Sequence, residues 1–74
     1  MEVLYGKWKR KVDAKGMMVS NLSSVGEWMI TVSVDGKPFL RKYLSKGETL
    51  IIPLPIKGEI SVDAMSDDVA VTLF

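Results

Sequence analysis

Four cations and one aromatic stand together near the start of the chain, in Lys7-Trp8-Lys9-Arg10-Lys11. Basic side chains interleaved with aromatics are the chemistry of polyanion binding. The cations would neutralise phosphates and release counterions, and Tyr5 or Trp8 would stack on a base. If this segment is extended, Lys7, Lys9 and Lys11 project from one side and Trp8, Arg10 and Val12 from the other. The competing expectation is structural: Trp8 and Val12 enter the core, Arg10 lays its stem along the core border, and the lysines keep a strand soluble and unpaired. The formal net charge is +1 and the pI about 8.0, with 9 acidic residues diluting 10 basic ones. Non-specific nucleic-acid binders usually carry a whole basic face and a pI above about 9. The structural expectation therefore leads, and nucleic-acid binding through Tyr5, Lys7, Trp8, Lys9, Arg10 and Lys11 is the alternative.

The chain has no His and no Cys, which removes the usual acid–base group and the usual partner of a nucleophile. It also removes the thiolate and imidazole ligands of structural zinc. Carboxylates remain. Asp63 with Asp67 could do glycosidase-type chemistry only across a cleft, which a domain this small rarely forms. Asp63, Asp67 and Asp68 could offer oxygen ligands to Ca²⁺, but their spacing matches no calcium loop. A solvated turn, with Asp67 or Asp68 bonding its own backbone, explains them better. Neither an enzyme nor a metal or cofactor site is expected.

The elements that would position any site follow from length and pattern. Seventy-four residues make one domain, 1–74, with room for a single core and only marginal stability. Without disulfides, such a domain gains most from a dense core or from association with other copies. No apolar run approaches the 18 or so residues of a membrane span, and the N-terminus lacks the order of a secretory signal. The expected setting is cytoplasmic or virion-associated.

Apolar residues alternate with period two almost everywhere, the signature of strands. "EWMITVSV" sets Trp28, Ile30, Val32 and Val34 on one face, and Asp35-Gly36 then suits a type I′ hairpin turn. "KPFLRKYL" returns from it. Ser45-Lys46-Gly47 turns the chain into "ETLIIPLPI", with Leu50, Ile52, Leu54 and Ile56 in one row. Pro53 and Pro55 in the other row mark an edge strand. Lys57-Gly58 is expected to turn into "EISVDAM", and the segment around Ser66-Asp67-Asp68 into "VAVTLF". The front, "EVLYGKWKRKVDA", holds a bend or bulge at Gly6, and "MMVSNL" is a short strand. The expectation is an all-β fold with no substantial helix: a small antiparallel sandwich or barrel, immunoglobulin-like or jelly-roll-like, of about 6–7 short strands. The order strand, Asp-Gly turn, strand, Lys-Gly-Glu turn, strand over residues 28–54 resembles small immunoglobulin-like sandwiches, a likeness of generic turns that implies no function.

Large apolar residues are left over. Met17, Met18, Met29, Phe39, Tyr43, Met65 and Phe74 fall on the second faces of their strands or at strand ends. In a two-layer sandwich these face water, and a patch of that size marks a protein contact. The sequence therefore points to a non-enzymatic structural or protein-interaction module. It is expected to self-assemble or to serve in a larger assembly such as a viral or phage component, with Trp28, Met29, Phe39, Tyr43 and Phe74 as its contact residues.

Overall fold

The Asp-Gly dipeptide makes the turn its chemistry demands. In the computed structural model, which describes residues 2–53 and 55–74, Asp35 and Gly36 both lie at positive φ, 50° and 82°. They join β4 (Trp28–Val34) to β5 (Lys37–Leu44). From this tip the chain pairs outward in nested order. β3 (Met17–Asn21) meets β6 (Thr49–Ile52), β2 (Trp8–Ala14) meets β7 (Ile56–Ala64), and β1 (Glu2–Tyr5) meets β8 (Val69–Leu73), all antiparallel. The molecule is one long hairpin, rolled up. Rolling brings β8 against β3 and β7 against β4. Two four-stranded sheets result, a first of order β1-β8-β3-β6 and a second of order β2-β7-β4-β5. Eight strands in this double Greek-key order form a jelly roll, and no helix occurs among the described residues.

Every connection except Asp35-Gly36 carries the chain from one sheet to the other, so each strand turns one side inward. Met17 and Val19 of β3, and Val69, Val71 and Leu73 of β8, face Ile30 and Val32 of β4 and Ile60, Val62 and Ala64 of β7; all are buried. Each fully buried side chain of this size contributes about 1.5–3 kcal/mol relative to exposure. Leu4, Trp8 and Trp28 close the rim of this core.

Several expectations are corrected. Among the described residues there are eight strands, because Gly6 at φ 68° breaks the front segment into β1 and β2, which belong to different sheets. Met17 is core, fully buried: β3 starts on it, so Met17 shares the inward phase of Val19 and only Met18 points out. The "ETLIIPLPI" segment is not one strand. β6 ends at Ile52, before Pro53, and Ile56 already opens β7 in the other sheet; Leu54 lies outside the described residues. Lys57-Gly58 is not a turn but part of β7, with Gly58 at φ 126°. The edge assignment of β6 holds, since it is the last strand of the first sheet.

One buried polar side chain ties the far end together. Asn21 is 1% exposed. Its Nδ2 donates to the carbonyls of Gly26, Leu44 and Ser45 at 2.9, 3.1 and 3.1 Å, and its Oδ1 accepts from the Ser23 N–H at 3.0 Å. It thereby fastens β3 to both the 22–27 loop and the turn after β5.

Candidate interaction surfaces

The outward sides of the two sheets differ in charge. On the second sheet, Lys9 and Lys11 of β2, Glu59 and Asp63 of β7 and Arg41 of β5 all point out. Cross-strand pairs interleave opposite signs: Lys7 Nζ lies 3.6 Å from Asp63 and Lys9 Nζ 3.4 Å from Glu59. These pairs are exposed, and such pairs contribute about 0–1 kcal/mol; they fix sign patterning more than stability.

The first sheet is the reverse. Register places Val3, Thr72, Met18 and Ile51 side by side across its four strands, and Tyr5, Ala70, Ser20 and Thr49 in the next row. Both rows point away from the core, because the alternate positions Leu4, Val71, Val19 and Leu50 pack into it or against it. Glu2 is the one charged residue in these four strands, and it belongs to the inward phase, where it pairs with Arg10. The outer face is therefore uncharged. Val3, Tyr5 and Ile51 are exposed on it, and its hydroxyls are partly self-satisfied, with Ser20 Oγ 3.2 Å from Thr49 Oγ1. Phe74 continues the face at one end, its ring against Gly16, where a Cβ would stand 2.6 Å from Cζ.

Charge also closes the two open sides of the sandwich. Arg10 on edge strand β2 reaches Glu2 on edge strand β1, and Lys42 on edge strand β5 lies 3.1 Å from Glu48, just before edge strand β6. Each pair spans from one sheet to the other with the long side chains lying over the core rim. Glu48 Oε1 also accepts the Ser45 N–H at 2.9 Å. That hydrogen bond first, and Lys42 second, hold its carboxyl below the usual range.

The residues singled out by sequence reasoning do not form one surface. Met29 and Tyr43 are directly opposed on the outer face of the second sheet, beside Thr31, Arg41, Asp63 and Met65. Phe39 sits in the bulge of β5 near the other end. Trp28 turns inward and covers Gly26, whose Cβ would stand 2.5 Å from the indole Cζ2. Phe74 alone borders the uncharged face. The basic segment is divided as well. Tyr5 lies on the outer face of the first sheet, on the opposite side of the sandwich from Lys9 and Lys11. Lys7, Lys9 and Arg10 each face a carboxylate. Trp8 packs against the core, and its Nε1, like that of Trp28, is buried without a hydrogen-bond partner; neither indole presents its N–H to a ligand. Asp63 faces Lys7, whereas Asp67 lies against Gly6. Among the described residues no three acidic side chains converge on a metal position.

Sequence reasoning missed the uncharged face. A signal for it exists: EVLY, MMVSN, TLII and VAVTL carry one charge between them, whereas three of the other four strands are rich in Lys, Arg, Asp and Glu. Only the strand order shows that these four segments share a sheet. Comparison with protein-family models, curated proteins and solved structures returns no match.

Proposed function

We propose that the chain is a non-enzymatic protein-interaction module that self-assembles, and that the outer face of its first sheet is the contact surface. The observation that carries this reading is the absence of charge from both outward rows, Val3-Thr72-Met18-Ile51 and Tyr5-Ala70-Ser20-Thr49. An antiparallel sheet with one face in water normally alternates apolar-in with polar-out. The second sheet obeys this rule; the first does not. Four strands about 4.8 Å apart and four or five residues long give a footprint of roughly 300 Å², the size of the largest patch on a typical monomer, which is often functional. An uncharged face is compatible with a copy of itself, since it sets no like charges opposite one another. Self-association also supplies what a cysteine-free domain of 74 residues lacks, further burial of apolar area.

The test is substitution of one charge on each outer face. Ile51→Lys is exposed on the first sheet and fills no core space; Ser33→Lys is its counterpart on the second. Light scattering over a concentration series is expected to show association for the unmodified chain and for Ser33→Lys, and weaker association for Ile51→Lys with an unchanged thermal transition at low concentration. Equal association of both variants would refute the assignment of the face.

A further inference from the structure

We propose that two copies join strand to strand through β1, antiparallel about a two-fold axis that passes beside Leu4; this rests on the self-assembly reading above. The sandwich has four edge strands, and exposed edges invite pairing unless they are guarded. β2 is guarded by Lys9 and Lys11 pointing out and Arg10 pointing in. β5 carries Pro38, a bulge beside Val32/Ser33 and the inward Lys42. β6 stops at Pro53. β1 carries one inward charge, Glu2, at its first residue and already paired with Arg10; from Val3 to Tyr5 it has no charge, no proline and no bulge, and its register with β8 is regular.

Hydrogen-bond direction fixes how a second strand would fit. The Gly6 N–H donates to the Val69 carbonyl at 3.0 Å, so Gly6, and by alternation Leu4 and Glu2, direct their backbone groups toward β8. Val3 and Tyr5 direct theirs to the free edge. With the axis beside Leu4, Val3 of each copy opposes Tyr5 of the other, and both residues offer an N–H and a C=O across the junction. Four backbone hydrogen bonds form. An axis beside Val3 gives two among the described residues and sets Glu2 against Leu4. An axis beside Tyr5 also gives two, because the residues after Gly6 have left for the other sheet. The favoured register also makes two aromatic–β-branched cross-strand pairs on the outer face. It holds the two Glu2 carboxylates at opposite ends, each opposite Gly6 of the other copy. The product is a continuous sheet of order β6-β3-β8-β1-β1-β8-β3-β6, whose two uncharged faces lie side by side as one surface of roughly 600 Å². The junction leaves that surface open, and packing of two such pairs face to face would bury it, close to the roughly 800 Å² per partner of a standard interface.

The chain has no Cys, so one introduced thiol reports on one contact. Directly opposed residues of a non-hydrogen-bonded pair have Cα atoms about 4.5 Å apart, inside disulfide range. Leu4→Cys is therefore expected to form a covalent dimer under a glutathione redox buffer. Val3→Cys is not, because its counterpart in the other copy stands two residues out of line. Val3→Pro removes an edge-facing N–H and leaves the bonds to β8 in place; it is expected to weaken self-association about tenfold or more, read as a shifted dissociation constant. Association of Val3→Pro equal to that of the unmodified chain, or cross-linking of Leu4→Cys no greater than that of Val3→Cys, overturns the β1 junction. If Ile51→Lys weakens association while the β1 variants do not, assembly stands and the junction falls. If the unmodified chain is monomeric at every concentration and Leu4→Cys stays reduced, both fall.

Discussion

Replacing Asn21 measures how much of the fold hangs on one buried amide. Asn21→Ala removes the donor shared by the carbonyls of Gly26, Leu44 and Ser45 and the acceptor of the Ser23 N–H. The Leu44 bond is wholly buried, and each buried group left without a partner costs about 1–3 kcal/mol. With the other partners at the margin of solvent, the expected loss is about 3–4 kcal/mol. A domain of this length has about 4–11 kcal/mol in total, so the variant sits close to unfolding. Asn21→Asp keeps the shape but aims a carboxylate at three carbonyl oxygens. Its folded pKa is then raised above the unfolded one, so its folded state is favoured at low pH. The penalty grows as pH rises from about 4 to 7, by up to about 1.4 kcal/mol per unit. Urea unfolding followed by tryptophan fluorescence reads both variants, at one fixed protein concentration. Trp28 is a direct reporter because its indole rests on Gly26, whose carbonyl Asn21 holds. A loss below about 1 kcal/mol for Asn21→Ala, or a pH-independent stability of Asn21→Asp between pH 4 and 7, would refute the reasoning.

Gly58→Ala is expected to cost about 2–3 kcal/mol in the same assay, since φ is 126° and a Cβ would stand 2.8 Å from the Asp35 carboxylate. Glu48→Gln should flatten the acid side of the stability curve. The Glu48 carboxyl is held below its usual 4.5, so its contribution is fully present above that pH and is lost as pH falls through the lowered folded value; an unchanged acid slope would count against it. A gel-shift series with mixed-sequence DNA is expected to show no retardation at 150 mM salt, because Lys7, Lys9 and Arg10 already face carboxylates; retardation that weakens steeply with salt would reinstate the basic segment as a site.

Much of the fold could be read from local chemistry. Asp35-Gly36 specified its turn, the period of Trp28, Ile30 and Val32 specified the inward side of β4, and Pro53 marked the edge at β6. Those features depend on neighbours in sequence. The nested pairing does not: nothing local says that β1 lies beside β8, or that Tyr5 and Lys9, four residues apart, end on opposite outer faces. Met17 was misplaced by a shift of one residue, which in a strand exchanges core for solvent. The uncharged face escaped notice for a different reason. Its eight side chains come from four separated segments, each unremarkable alone, and only the sheet order assembles them. Met29 and Tyr43, by contrast, were legible as outward-facing because each follows the alternation of its own strand.

Sedimentation equilibrium of the unmodified chain, from about 5 μM to about 1 mM, tests self-assembly most directly, given that weak interfaces show only near their dissociation constants. The expected result is a mass that climbs from the monomer's 8.2 kDa to at least twice that value, with a smaller rise for Ile51→Lys. A constant 8.2 kDa at every concentration would contradict it.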